Sequence, residues 1–173
     1  MNVAHSIPAK VKPSVSVLKG IKLLKVFSDQ ELTSLIQHGE AMGCEAYTNI
    51  VIEGETTWGL YLILDGMVGV YKRNKLTGVD YDVGQLRTGN FFGEMSLVDE
   101  YPRSATVRAL SDCQLFSITK EAFHQFLSKN PNSKSKFYES CVETLVHRLR
   151  ELDENYVISQ YQLWKTALKK EAS

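Results

Sequence analysis

A surplus of charge is the first thing this chain lacks. Lysine plus arginine number 20 and aspartate plus glutamate number 20, so the formal net charge is zero. Domains that grip nucleic acid ordinarily carry a basic surplus, and this balance argues against that class. Long apolar runs are lacking too. None approaches the length of a membrane span, and the opening MNVAHSIPAKVKPSVSV has no signal-peptide core. Cysteines are few and odd in number: Cys44, Cys113 and Cys141 read as free buried thiols in a reducing cytoplasm. The histidines, His5, His38, His124 and His147, show no metal-ligand spacing, which counts against a cupin barrel and its metal. No nucleophile–base pair and no Walker-type Gly-Lys-Ser stands out, so the chain is not expected to be an enzyme. What remains is a chain of 173 residues, 43% apolar and 23% charged, which is the composition of a soluble globular domain able to bury a core.

Residues 1–16, with Pro8 and Pro13, read as a mobile arm. Ser28 and Glu31 stand at the spacing of a capping box, and Leu32, Leu35 and Ile36 recur at helical spacing, so a helix is expected from about Asp29 to His38. From Met42 to Ile118 short β-prone runs (NIVIE, LYLIL, MVGVYK, VDYDVGQL, SATVRAL, CQLFSI) alternate with glycines. That rhythm indicates an antiparallel sandwich or barrel. LDGMVGVY is expected to form a hairpin with Asp65-Gly66 as its turn. The helical period then returns. Thr119 can cap a helix through Leu127, and Pro131 suits the first turn of another. In that last segment Tyr138, Val142, Leu145, Leu149, Leu152 and Tyr156 alternate four and three apart, the pattern of a coiled-coil seam. Val157, Tyr161, Trp164 and Leu168 keep the rhythm one position out of step, so the helix is expected either to stutter there or to break and fold back.

The stretch GNFFGEMSLVDEYPRSATVRAL, Gly89 to Leu110, carries the chemistry. Gly93 permits a tight turn and a close approach of backbone to a ligand. The residues after it can start a short helix, whose free N–H groups attract an anion. Arg103 presents a planar fork suited to phosphate oxygens, and Ser104 adds a hydroxyl. Glu94, acceptor-only when ionised, would repel a phosphate and needs a neutral donor such as a sugar hydroxyl. Without a ligand, Glu94 and Arg103 are expected to stay hydrated or to find other partners, because burying either alone is costly.

In these residues the chain resembles the cyclic-nucleotide-binding domain family. FGEMSL and PRSATVRA match that family's phosphate-binding cassette without a departure, and LLKVFSDQELTSL, IVIEGE, LYLILDGMVGVY, DCQLFSITKEAFHQFL and LVHRLRE look like family segments in the expected order. The resemblance runs from about Val17 to Asp153. Asn49 stands where the family often has glycine, and its tolerance of a left-handed backbone is expected to preserve the turn.

The resemblance implies an α+β fold, an eight-stranded antiparallel β-roll of jelly-roll type flanked by N-terminal helices and a long C-terminal helix. Residues 17–130 would form the nucleotide-binding roll and 131–173 a lid and dimerisation helix. It implies that Glu94 accepts from the ribose 2′-hydroxyl and that Arg103 pairs with the cyclic phosphate. Gly93, Ser104 and the backbone at Met95 and Ser96 would complete that site, and Val70, Val83 and Leu86 would line the apolar wall. Thr144 and Arg148, four apart on one helical face, fall where the family contacts the base. Cyclic AMP is the preferred ligand, with cyclic GMP its competitor and no other cofactor. The chain ends after the long helix, so a cytoplasmic sensor that dimerises through that helix and signals to another protein is expected, with no membrane or direct nucleic-acid contact. The alternatives are a transcription regulator lacking its helix-turn-helix and a ligand-free dimerisation scaffold.

Overall fold

Helices occupy both ends of the chain and strands the middle, in a computed structural model that describes residues 6, 7, 9, 10 and 13–171. After β1 (Ser6–Ile7) come α1 (Val15–Lys19), a 3₁₀ turn at Lys22–Leu24 and α2 (Asp29–Ile36). The strands follow: β2 (Glu40–Cys44), β3 (Asn49–Val51), β4 (Gly59–Asp65), β5 (Met67–Arg73), β6 (Asp80–Arg87) and β7 (Phe91–Phe92). A 3₁₀ turn at Glu94–Leu97 precedes β8 (Thr106–Ala109) and β9 (Cys113–Thr119), and the chain closes with α3 (Lys120–Lys129) and α4 (Pro131–Glu171).

The expected local signals are in place. Ser28 and Glu31 form the capping box of α2, and the Thr119 side chain accepts from Ala122 N to start α3. The expected arm overlaps residues that lie outside the described ones. Of the others, Ser6–Ile7 pairs with β2, and α1 already begins at Val15.

The strands make two antiparallel sheets, β1-β2-β9-β4-β7 and β3-β8-β5-β6, which is the expected roll of eight strands, β2 to β9, with β1 added at an edge. One expectation fails here. β4 and β5 are not a hairpin: β4 pairs with β7 and β9, whereas β5 pairs with β6 and β8. Asp65-Gly66 is therefore a corner at which the chain leaves one sheet for the other. Gly66 takes φ +99 there, with Asp112 O only 2.6 Å from where a Cβ would stand.

Alternation along β4 and β9 separates two cores. Leu60, Leu62, Phe116 and Ile118 face the helices, where Leu18, Leu24, Phe27, Leu32, Phe123, Phe126 and Phe137 complete the larger cluster. Ile63, Cys113 and Leu115 point the other way and meet Val51, Val68, Phe92 and Val107 between the sheets. Cys44, Cys113 and Cys141 are free and buried, as expected. Burial pushes the Cys44 thiol up to about 11 and the Cys141 thiol up to about 12.

Helix α4 is a single helix of 41 residues without a break, so the shifted rhythm after Tyr156 marks no fold-back. Its first turns bury Ser133, Phe137, Ser140 and Cys141 against the roll. From Leu149 to Leu168 every residue is exposed. The 3.5-residue seam thus lies beside the stripe that packs on the roll, and Val142, Leu149, Leu152 and Tyr156 stay open.

Candidate site at the turn after β7

Gly93 organises the site. It adopts φ +85, which costs a glycine nothing, and caps the Glu94–Leu97 turn. A Cβ there would stand 2.4 Å from Gly59 O and 2.9 Å from Arg103 Nη1. The backbone at Gly93 thus closely approaches Gly59 and the arginine.

Arg103 is only 8% exposed, yet its hydrogen-bond partners are all uncharged. Nε donates to Thr57 Oγ1 at 3.3 Å. Nη1 donates to Gly59 O at 3.2 Å and to Ser96 Oγ at 3.3 Å, and Nη2 donates to Gly59 O at 3.3 Å. The Ser96 hydroxyl in turn donates to Gly93 O at 2.7 Å and accepts from Gly59 N at 3.1 Å. Burial pulls the Arg103 pKa below the ordinary arginine range, while Tyr61, Glu55 and Glu94 act in the opposite sense. An arginine nonetheless stays protonated in a protein. Among the described residues no carboxylate lies within ion-pair distance of it. The result is a fixed, partly desolvated positive charge held by neutral groups.

Glu94 is 4% exposed and has found another partner. Arg148 reaches down from α4, its Nη1 donating to Glu94 Oε1 in an ion pair. Arg148 Nη2 also donates to Phe91 O at 3.1 Å, and its guanidinium lies 5.3 Å from the centre of the Phe91 ring. Within the chain the acid of the cassette thus has a charged partner and the base has neutral hydrogen-bond acceptors, as the cost of burying either bare requires.

The other expected site residues divide. Val70 and Leu86 pack, half-buried, against the core between the sheets, beside Tyr61. Val83 is 58% exposed and does not join them; a register shift between β5 and β6 falls at Val70–Tyr71, beside it. Ser104 and Met95 are exposed near the turn. Thr144 spends its hydroxyl on Ser140 O of its own helix, at 2.9 Å. Asn49 is extended in β3 and accepts from Arg108 Nε at 2.9 Å; the left-handed residue in that bend is Tyr47, φ 67. Thr57, Gly59, Tyr61 and Phe91 belong to the site but escape sequence reading. Only a buried arginine's need for acceptors hints at them.

Chemically, a buried cation held by neutral groups and a buried carboxylate both adjoin a left-handed glycine. That suits a ligand bearing an anion close to a hydroxyl. No helix among the described residues is long and apolar enough to cross a membrane.

The comparisons point the same way. A family model described as the cyclic nucleotide-binding domain matches residues 44–130. A cAMP-dependent protein kinase regulatory subunit of Candida albicans is 36% identical over 113 residues, 64% of this chain and 23% of that protein. The cyclic AMP receptor protein of Thermus thermophilus is 28% identical over 136 residues, 79% of this chain and 61% of that one. The chain thus spans less than a quarter of the fungal kinase subunit that it matches, and less than two thirds of the bacterial receptor. A crystal structure of a cyclic nucleotide-binding domain from Methylobacillus flagellatus superposes with a TM-score of 0.71 at 24% identity, over 84% of this chain and 83% of that one, and so shares the fold.

Proposed function

Since the chain belongs to the cyclic nucleotide-binding domain family, we propose that it is a cyclic AMP sensor that signals through movement of α4. One observation carries the reading: Arg103 is a buried guanidinium whose hydrogen bonds all go to uncharged acceptors, a positive charge built into the cassette and suited to an anion. In this reading the cyclic phosphate supplies that anion, helped by Ser104 and by the backbone at Met95 and Ser96. Glu94 takes the ribose 2′-hydroxyl, and Val70 and Leu86 border the sugar and base. Cyclic AMP is preferred over cyclic GMP because the relatives above are named for it.

Glu94 cannot turn freely to a sugar while Arg148 holds one of its oxygens. Ligand entry therefore loosens or re-forms the contact that fastens α4 to the cassette, and α4 shifts between two populations. A ligand moves such an equilibrium only by its differential affinity for the two states. The open seam from Val142 to Tyr156 supports a homodimer through α4, which would carry the shift to a partner protein.

The test is titration calorimetry of the full chain with cyclic AMP, cyclic GMP and cyclic di-GMP. Cyclic AMP is expected to bind, and Arg103→Ala to weaken it far more than it lowers the melting temperature. A parent chain indifferent to all three nucleotides, or an Arg103→Ala chain that binds like its parent, overturns the assignment. Hydrogen exchange over residues 134–156 tests the movement: protection unchanged by ligand refutes it.

A further inference from the structure

We propose that Tyr61 is a positioning residue for Arg103, its ring face holding the guanidinium where the phosphate is to bind. The proposal rests on the ligand-site reading above but concerns a side chain that the cassette motif does not contain.

Consider first how weakly Arg103 is otherwise held. Its four hydrogen bonds measure 3.2 to 3.3 Å, long beside the roughly 2.7–2.9 Å usual for charge-assisted bonds. None goes to a carboxylate. A buried cation so loosely bonded needs a further source of negative potential, and a π face provides one. The Arg103 Cζ lies 5.7 Å from the centre of the Tyr61 ring. The Tyr61 hydroxyl adds a second, separate contribution: charge and hydrogen bonding through its oxygen also favour the charged form of the guanidinium.

That ring is itself fixed. It stacks on Phe92 with centroids 5.0 Å apart and planes 6° from parallel. The two residues are also register partners across the β4–β7 ladder, so backbone pairing keeps the rings in contact. Phe92 leads directly into Gly93 and Glu94. A single aromatic pair therefore ties the element that carries the acid to the side chain that carries the base.

The sequence of β4 agrees. Its residues are GLYLILD, and the neighbours of Tyr61 are aliphatic. The aromatic stands at the position facing Arg103, on the side of the strand with Ile63 that lines the core between the sheets. An aliphatic residue there would offer the guanidinium no quadrupole.

Ring electronics separate a positioning role from mere packing. The full chain is titrated with cyclic AMP as Tyr61→Phe, as Tyr61→Leu, and with 4-cyanophenylalanine at position 61, whose ring keeps its shape but loses negative potential. Phe, which keeps the ring face and loses the hydroxyl, is the reference for the ring and is expected to bind more tightly than the cyano ring or Leu. Relative to Phe, the cyano ring and Leu are expected to lose about three- to thirty-fold, the range for a cation–π contact from exposed to desolvated. If the cyano ring binds as Phe does, Tyr61 is packing only and the proposal falls. A parent that binds neither cyclic AMP nor cyclic GMP overturns the functional reading instead. Tyr61 is then tested without ligand through the Arg103 Nε–H resonance in nitrogen-15 spectra. Tyr61→Leu is expected to shift that resonance by removing the ring current, and an unmoved signal sinks the proposal.

Discussion

Arg148 and Glu94 join two parts of the chain that are 54 residues apart: the guanidinium of α4 is paired with the buried carboxylate of the turn after β7. Removing Arg148 leaves that carboxylate with a lost partner in a site that is 4% exposed. Arg148→Ala is expected to cost about 1–3 kcal/mol of stability in urea titrations. The double variant Glu94→Ala with Arg148→Ala should cost less than the sum of the two single changes, because it strands no charge. Strict additivity would mean that the two side chains do not act on each other.

Cys141 reports on the same contact. Its thiol is buried on the α4 face that meets the roll, and burial, with the Glu94 charge as a lesser cause, pushes it up to about 12. Alkylation at pH 8, followed by mass spectrometry, should be slow at all three cysteines of the native chain. Arg148→Ala is expected to speed labelling of Cys141 while Cys44 and Cys113, inside the roll, stay slow. Equal acceleration at all three would indicate global unfolding rather than release of α4.

Gly93→Ala should be among the most damaging single-methyl changes in the chain. The new Cβ meets Gly59 O at 2.4 Å and Arg103 Nη1 at 2.9 Å, on a backbone with φ +85. The left-handed conformation alone costs a non-glycine residue roughly 1–2 kcal/mol. The clash adds to that and moves the arginine. A lowered melting temperature together with loss of cyclic AMP binding is expected; a variant that melts and binds like the parent would contradict the geometry.

Acid should loosen the start of α4. Burial raises the Glu31 carboxyl, but hydrogen bonds from Ser133 and from Ser28 backbone and side chain, with Lys136 nearby, outweigh it and leave its pKa below the ordinary 4.5. A carboxylate lowered on folding contributes stability above its unfolded pKa, and that stability is lost as pH falls through the folded value. The parent is therefore expected to lose stability below about pH 4.5 more steeply than Glu31→Gln does. Parallel melting curves from pH 6 to pH 3 would exclude the Ser133–Glu31 bond as a clamp.

The seam is open to a direct measurement. Leu149, Leu152 and Tyr156 are 56%, 62% and 63% exposed on the single chain. Sedimentation of the parent is expected to show a dimer, and Leu152→Glu a monomer that still binds cyclic AMP. A parent that sediments as a monomer at every concentration tried would remove the dimer from the mechanism.

The residues that sequence reading located best are those whose signal is local. The Ser28–Glu31 box, the Thr119 cap and the left-handed Gly93 each follow from neighbours within a few positions. What sequence reading did not show shares one cause, which is distance along the chain. Asp65-Gly66 has the composition of a hairpin turn, but β9 and β8, some fifty and forty residues onward, claim β4 and β5 for different sheets. The exposure of Val83 is likewise invisible in sequence, because the register shift of β6 against β5 falls beside it. Arg148 stands where the family contacts the base, and nothing near it in sequence announces its pairing with Glu94. Thr57, Gly59 and Tyr61 reach Arg103 from more than forty positions away, so no window around the arginine contains them.

The unbroken course of α4 has a mechanical corollary. From Arg148 to Glu171 the rod extends about 35 Å at 1.5 Å per residue, so a tilt of about 5° at its anchored end sweeps the tip through about 3 Å. In the proposed mechanism the same tilt carries the aromatic stretch around Tyr161 and Trp164, about 20–24 Å from Arg148, through about 2 Å. A partner gripping that stretch would then read a lever, with its fulcrum where Arg148 meets the cassette.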